Sequence, residues 1–201
     1  MAAPGGVSES EAPRGGHSRG VFALFALCLL LFCGLQYRHL GYPLVWQDEA
    51  ETVMFGQRIL DYGYPRVDDG RNLVYGLGVP LAVGVKEEHG AYIGSLWGQY
   101  YLAAAAVRWA AGVDGFHART ARLRLPFALA GSLGLLLFFL STAKLFGSGR
   151  REPLLAASAY LALVASSVSL QLHLREVRYY ALAVALLAAI VWLELRRERL
   201  S

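Results

Sequence analysis

Cysteine is scarce in this chain, and the two that occur do not support a disulfide framework. Cys28 and Cys33 fall inside one apolar run, about 140° apart around a helix, which suits neither a shared metal nor a bridge. Histidine gives no metal signature either: His89, His117 and His173 lack ligand spacing and read as solvated or interfacial side chains. Gly147-Ser148-Gly149 lacks the Gly-Lys-Ser/Thr ending of a phosphate loop and reads as a cytoplasmic turn. Charge is sparse at 17% of residues, and the net +4 is scattered between apolar segments rather than laid in a basic stripe interleaved with aromatics. Nucleic acid is therefore not an expected partner. No small-x-small cleavage site follows the first apolar run, so that run is expected to be a retained anchor. Internal repeats are absent as well.

Apolar residues are abundant. They make up 56% of the 201 residues, and a bilayer crossing takes about 20 mostly apolar positions. Four stretches approach or meet that length, at about Val21 to Tyr37, Leu125 to Phe146, Leu154 to Leu172 and Tyr179 to Leu195. The expected fold class is an all-α integral membrane protein with about four transmembrane helices. Residues 1–19, rich in Gly, Ser, Pro and Ala, read as a disordered tail, and Arg14 and Arg19 place it on the cytoplasmic side.

A fifth apolar stretch, Ala91 to Gly112, decides the rest of the topology. Arg108 inside it would cost at least about 2.5 kcal/mol at a bilayer centre. Tyr92, Trp97, Tyr100, Tyr101 and Trp109 resemble an interfacial belt. The stretch is accordingly expected to lie along the membrane surface, within one long outer loop at about 38–123 that carries two interfacial helices.

Trp46-Gln47-Asp48-Glu49-Ala50-Glu51 follows the first helix. Asp48 with Glu51 three residues later has the spacing of a capping box for a helix from Glu49 to Tyr62, closed by Gly63. The same carboxylates at a membrane surface are also candidates for chemistry.

Asp48-Glu49-Ala50, then Ile59-Leu60-Asp61-Tyr62-Gly63-Tyr64-Pro65 and Asp69-Gly70, resemble the first outer loop of polytopic glycosyltransferases of the GT-C fold. The nearest group is that of the protein O-mannosyltransferases and lipid A aminoarabinose transferases. The resemblance continues through Trp97-Gly98-Gln99-Tyr100-Tyr101-Leu102, Arg122-Leu123-Arg124-Leu125-Pro126-Phe127 and Arg175-Glu176-Val177-Arg178-Tyr179-Tyr180.

It implies a partial GT-C-like module over 20–201 and sugar transfer from a polyprenyl-phosphate donor at the outer face of the cell membrane. Asp48 would be the base and Glu49 a supporting carboxylate. Arg124, Arg175, Arg178 and Tyr180 would meet the donor and its lipid phosphate, Tyr180 standing where relatives have a second acidic residue, with Glu176 a turn earlier. A divalent metal is left open by that exchange. The His-Pro-Pro type signature is missing, with His89-Gly90-Ala91-Tyr92 near its place, so a protein acceptor is not implied. Relatives carry further helices, so a partner chain or a longer product is expected to complete the fold. The rival expectation is a non-catalytic membrane subunit that binds lipid or a partner enzyme.

Overall fold

The computed structural model describes residues 15–74, 85–86, 90–142 and 151–197. Residues 1–14, His89, and the turn at 147–149 lie outside them. The chain is a helical membrane protein. Helix α1 (Gly15–Tyr37) begins within the expected tail, and α4 (Phe116–Thr142) and α7 (Tyr179–Arg197) are likewise long and apolar enough to cross a bilayer. At about 1.5 Å per residue, the 27 residues of α4 extend about 40 Å, so its arginine-rich first turns project beyond a hydrocarbon core of about 30 Å.

The stretch expected as one helix from Leu154 to Leu172 is broken. Helices α5 (Arg151–Ser166) and α6 (Val168–Arg175) meet at 81° around Ser167, and count as one span only if the bent pair is taken together. Serines compete for backbone hydrogen bonds, and a serine pair is a common kink site. Here Ser166 Oγ donates to the Leu163 carbonyl at 2.8 Å, and Gln171 Nε2 reaches the Val164 carbonyl at 3.2 Å. These side chains satisfy carbonyls that the interrupted helix leaves open, as a membrane setting requires.

Between α1 and α4 lie α2 (Gln47–Tyr62), the two-residue antiparallel pair β1 (Val85–Lys86) and β2 (Ala91–Tyr92), and α3 (Gly98–Ala110). Ala91 to Gly112 forms no spanning helix: β2 takes its start, and the 13 residues of α3 extend only about 20 Å. Arg108 is exposed, while Ala103, Ala106, Val107 and Ala110 pack with Leu123, Phe127, Val177 and Ala181 in a core shared with α4 and the start of α7. Phe55, Tyr92 and Tyr100 form a second core beneath α2, with the Phe55 and Tyr92 rings stacked at 4.8 Å. Burial pushes the Tyr100 hydroxyl pKa well above its ordinary value.

The Asp69-Gly70 turn closes on the same unit. Asp69 pairs with the buried Arg58 at 2.7 Å and accepts the Arg71 and Asn72 N–H groups. Those backbone bonds, led by Asn72 and helped by Arg58, hold its carboxyl below the usual aspartate range.

The C-terminal end of α1, the first turns of α4, the end of α6 and the start of α7 converge at one end of the bundle, with α2 and α3 laid beside them. Arg175 documents this directly. Its guanidinium donates to the Leu35, Arg38, His39 and Tyr42 carbonyls at 3.0–3.4 Å, capping α1 from α6. Cysteines placed at Gly70 and Asp114 should therefore react with an impermeant maleimide from one compartment, and one at Glu194 from the other. Labelling of Asp114 and Glu194 from the same side would contradict this arrangement.

Helices α4 and α7 run in the same direction and touch at Gly134, where an added Cβ would come within 2.8 Å of the Ala185 backbone. Gly134→Val should push the pair apart and lower stability by about 1–3 kcal/mol, the usual range for overpacking. A drop in melting temperature in detergent would report it. Gly34→Val, in open space on α1, is the matched control expected to melt like the parent.

Candidate functional site

Glu49 and Arg124 form the centre of the converging end. Glu49 is completely buried and Arg124 is 3% exposed. The guanidinium faces the carboxylate with two nitrogens: Nε donates to Oε1 at 2.8 Å and a terminal nitrogen to Oε2. The remaining donors go to the Leu40, Pro43 and Leu44 carbonyls at 2.9, 2.6 and 3.4 Å. All five guanidinium N–H groups are thereby engaged. Glu49 Oε1 also accepts the Val177 N–H at 2.9 Å, and Oε2 accepts the Trp46 N–H at 3.3 Å. One ion pair thus joins α2, α4, the 40–44 strap and the α6–α7 turn.

This geometry moves the helix start. The expected cap was Asp48 with Glu51, but α2 begins at Gln47 with Trp46 as its N-cap residue, and Glu49 is the side chain that reaches back to the cap N–H. Gly63 closes the helix as expected, with φ of 82°. The N-terminus shifts because Glu49 must point inward to Arg124, and that burial overrides the stronger capping preference of aspartate.

Asp48 is left with a different environment. Its carboxylate caps nothing and is 38% exposed, and its side-chain partner among the described residues is Arg178, at 3.4 Å. Arg178 also donates to the Asp48 carbonyl at 3.2 Å and lies 5.8 Å from the Tyr179 ring centre. Its Nε is buried without a hydrogen-bond acceptor.

The structure brings Asp48, Glu49, Arg124, Arg175 and Arg178 to the same end of the bundle, as their joint candidacy requires. It also divides them by accessibility. Arg124 and Arg175 were expected to meet a lipid phosphate, yet as folded their terminal nitrogens are committed to Glu49 and to backbone carbonyls. Glu49, expected as a supporting carboxylate, is sealed from solvent. Asp48 is the candidate that remains open, and Arg178, 18% exposed, holds it with both terminal nitrogens. Tyr180 belongs to a neighbouring group, its ring 4.6 Å from that of His173 and 4.4 Å from that of Tyr179, with His173 Nδ1 3.2 Å from Glu176. Among the described residues, no three His, Cys, Asp or Glu side chains cluster closely enough to hold a metal ion.

Sequence reading missed the carbonyl strap at 38–44. Backbone acceptors leave no mark in side-chain identity; Gly41 is the one visible trace, since a Cβ there would collide with the His117 carbonyl.

Removing one partner of a buried pair leaves an uncompensated charge. Arg124→Leu should cost about 3–5 kcal/mol, whereas the paired change Glu49→Gln with Arg124→Met should recover much of that loss. Thermal unfolding of the single and double variants in detergent tests both, and an additive double variant would show that the pair is not coupled.

Compared with known proteins, the chain matches no family model, no curated protein and no solved structure.

Proposed function

We propose that the protein is a membrane glycosyltransferase that moves a sugar from a polyprenyl-phosphate donor to an acceptor at the outer face of the cell membrane, within a GT-C-like framework. The resemblance of the outer-loop motifs supplies the reaction class. The observation that carries the reading is the release of Asp48: its neighbour Glu49 takes over the capping bond, so Asp48 faces solvent beside Arg178 at the end where the helices converge.

In this reading the acceptor hydroxyl oxygen attacks the anomeric carbon and its proton passes to the Asp48 carboxylate. The bond from the anomeric carbon to the phosphate oxygen breaks, and its electron pair stays on the leaving phosphate. Arg178 faces that growing negative charge, and its side chain, 18% exposed, can turn from Asp48 toward it. A single displacement inverts the anomeric centre. Glu49, Arg124 and Arg175 act as positioning residues: they fix the helix start that presents Asp48 and the turn that presents Arg178. The amino terminus is cytoplasmic in this scheme, with α2 and α3 outside.

Asp48→Asn preserves size and hydrogen bonding but removes the base. It should leave the melting temperature unchanged and lower transfer about 10²–10⁴-fold, the usual contribution of general-base catalysis. The assay is transfer from a polyprenyl-phosphate sugar in proteoliposomes. Undiminished transfer by this variant would reject the mechanism, and a parent protein without transfer but with a stable lipid or protein complex would favour the non-catalytic subunit.

A further inference from the structure

Two cavities sit in the furrow along α1 and α4, the apolar one walled by α5 as well. One is an open cleft of about 560 Å³ at the converging end, lined by His39, Leu40, Tyr42, His117 and Ala121. The other, about 330 Å³, is an apolar groove within the spanning region, lined by Phe32, Leu136, Phe139, Leu140 and Tyr160 among others.

They are neighbours along α1 and α4. Tyr37 lines both, and on α4 the stripe Ala121, Leu125, Ser132, Leu136 and Phe139 runs along a single helix face from one to the other. At the junction the Tyr37 hydroxyl donates to Ser132 Oγ at 2.7 Å.

The chemistry of each half selects a different part of a ligand. In the groove the polar atoms are already paired, Tyr37 with Ser132 and the Tyr160 hydroxyl with the Leu135 carbonyl. A water needs two to four polar partners and finds none there, so hydrocarbon is the filling that the surroundings offer.

The cleft presents two imidazoles, His39 and His117, and Arg38 stands beside it against the His39 ring. Arg38 Nε donates to His39 Nε2, and the Arg38 terminal nitrogens have no protein partner among the described residues. His117 is held through Nδ1 to the Gly41 carbonyl, leaving its other ring nitrogen unused. Among the described residues, no acidic side chain lines the cleft.

We propose that this furrow is a binding site for an anionic phospholipid of the surrounding bilayer, with one acyl chain in the α1–α4 groove and the phosphate in the cleft beside Arg38, His39 and His117. The site is separate from the Asp48 reaction centre. The strap lies between them, with its Leu40, Pro43 and Leu44 carbonyls on Arg124 and its Gly41 carbonyl on His117. A lipid held there would brace the strap.

The test uses the full chain in nanodiscs of dioleoyl phosphatidylcholine containing a minor fraction of dioleoyl phosphatidylglycerol, with retained lipid counted by native mass spectrometry. One phosphatidylglycerol per chain is expected, enriched about tenfold over its mole fraction. Arg38→Gln with His117→Gln, both exposed, should abolish the enrichment. Leu136→Trp, a half-exposed residue of the groove wall, should reduce retention of either lipid; if that variant is not monodisperse, Leu140→Trp replaces it.

Retention in proportion to mole fraction, or enrichment that survives the double variant, would overturn the proposal. One-for-one displacement of phosphatidylglycerol by equimolar undecaprenyl phosphate would also overturn it, by making the furrow a carrier-lipid site. Because these readouts are lipid stoichiometries, they are independent of whether Asp48→Asn abolishes sugar transfer.

Discussion

The Glu49–Arg124 pair fixes the arrangement of everything around it. Taking a carboxylate and a guanidinium out of water costs several kcal/mol each, and their attraction offsets this only where geometry is good and the remaining donors and acceptors are satisfied. Both conditions are met, with three backbone carbonyls on the guanidinium and two backbone N–H groups on the carboxylate. The consequence is register. Helix α2 cannot rotate or slide without losing the Val177 and Trp46 bonds, and the strap cannot lift without stripping Arg124. A hydrophobic contact in the same place would hold the pieces together without specifying how.

Arg175 repeats the device at lower burial. It gathers four carbonyls around the end of α1, where the helix dipole also favours a cation. Two arginines, from α4 and α6, therefore grip interleaved carbonyls of one strap, which has little regular structure of its own. The same strap carries one wall of the cleft at His39 and Tyr42. Occupancy of the furrow and the setting of α2 are thus mechanically adjacent, through residues a few positions apart.

Much of this architecture was legible in the sequence. The spans of α1, α4 and α7 follow from apolar length, and the absence of a span at Ala91 to Gly112 followed from Arg108; the aromatics read there as an interfacial belt include Tyr92 and Tyr100, which are buried in the protein core instead. The break in the stretch Leu154 to Leu172 was not legible because it is accommodated by Ser166 and Gln171, whose hydrogen bonds to the Leu163 and Val164 carbonyls matter only once the bend is formed. The gathering of Asp48, Glu49, Arg124, Arg175 and Arg178 was expected from topology and motif order. Their division into buried and open members was not, because it depends on backbone carbonyls, which every residue has and no residue type announces.

The first turn of α2 shows why adjacent carboxylates need not share a role. Successive helix residues point about 100° apart, so once Glu49 faces the core Asp48 is turned toward the boundary. The burial of one acid thereby determines the exposure of the next. Asp48 gains a partner in Arg178, whose own turn is fixed by the Val177 N–H on Glu49 Oε1. The Asp48–Arg178 pair is held at its distance by the closed pair on both sides: α2 delivers the carboxylate, and the α6–α7 turn delivers the guanidinium. Such an arrangement keeps the two charged groups close, with the carboxylate at the solvent boundary and the guanidinium half-sunk behind it, which is the condition under which a carboxylate can accept a proton beside a neighbouring cation.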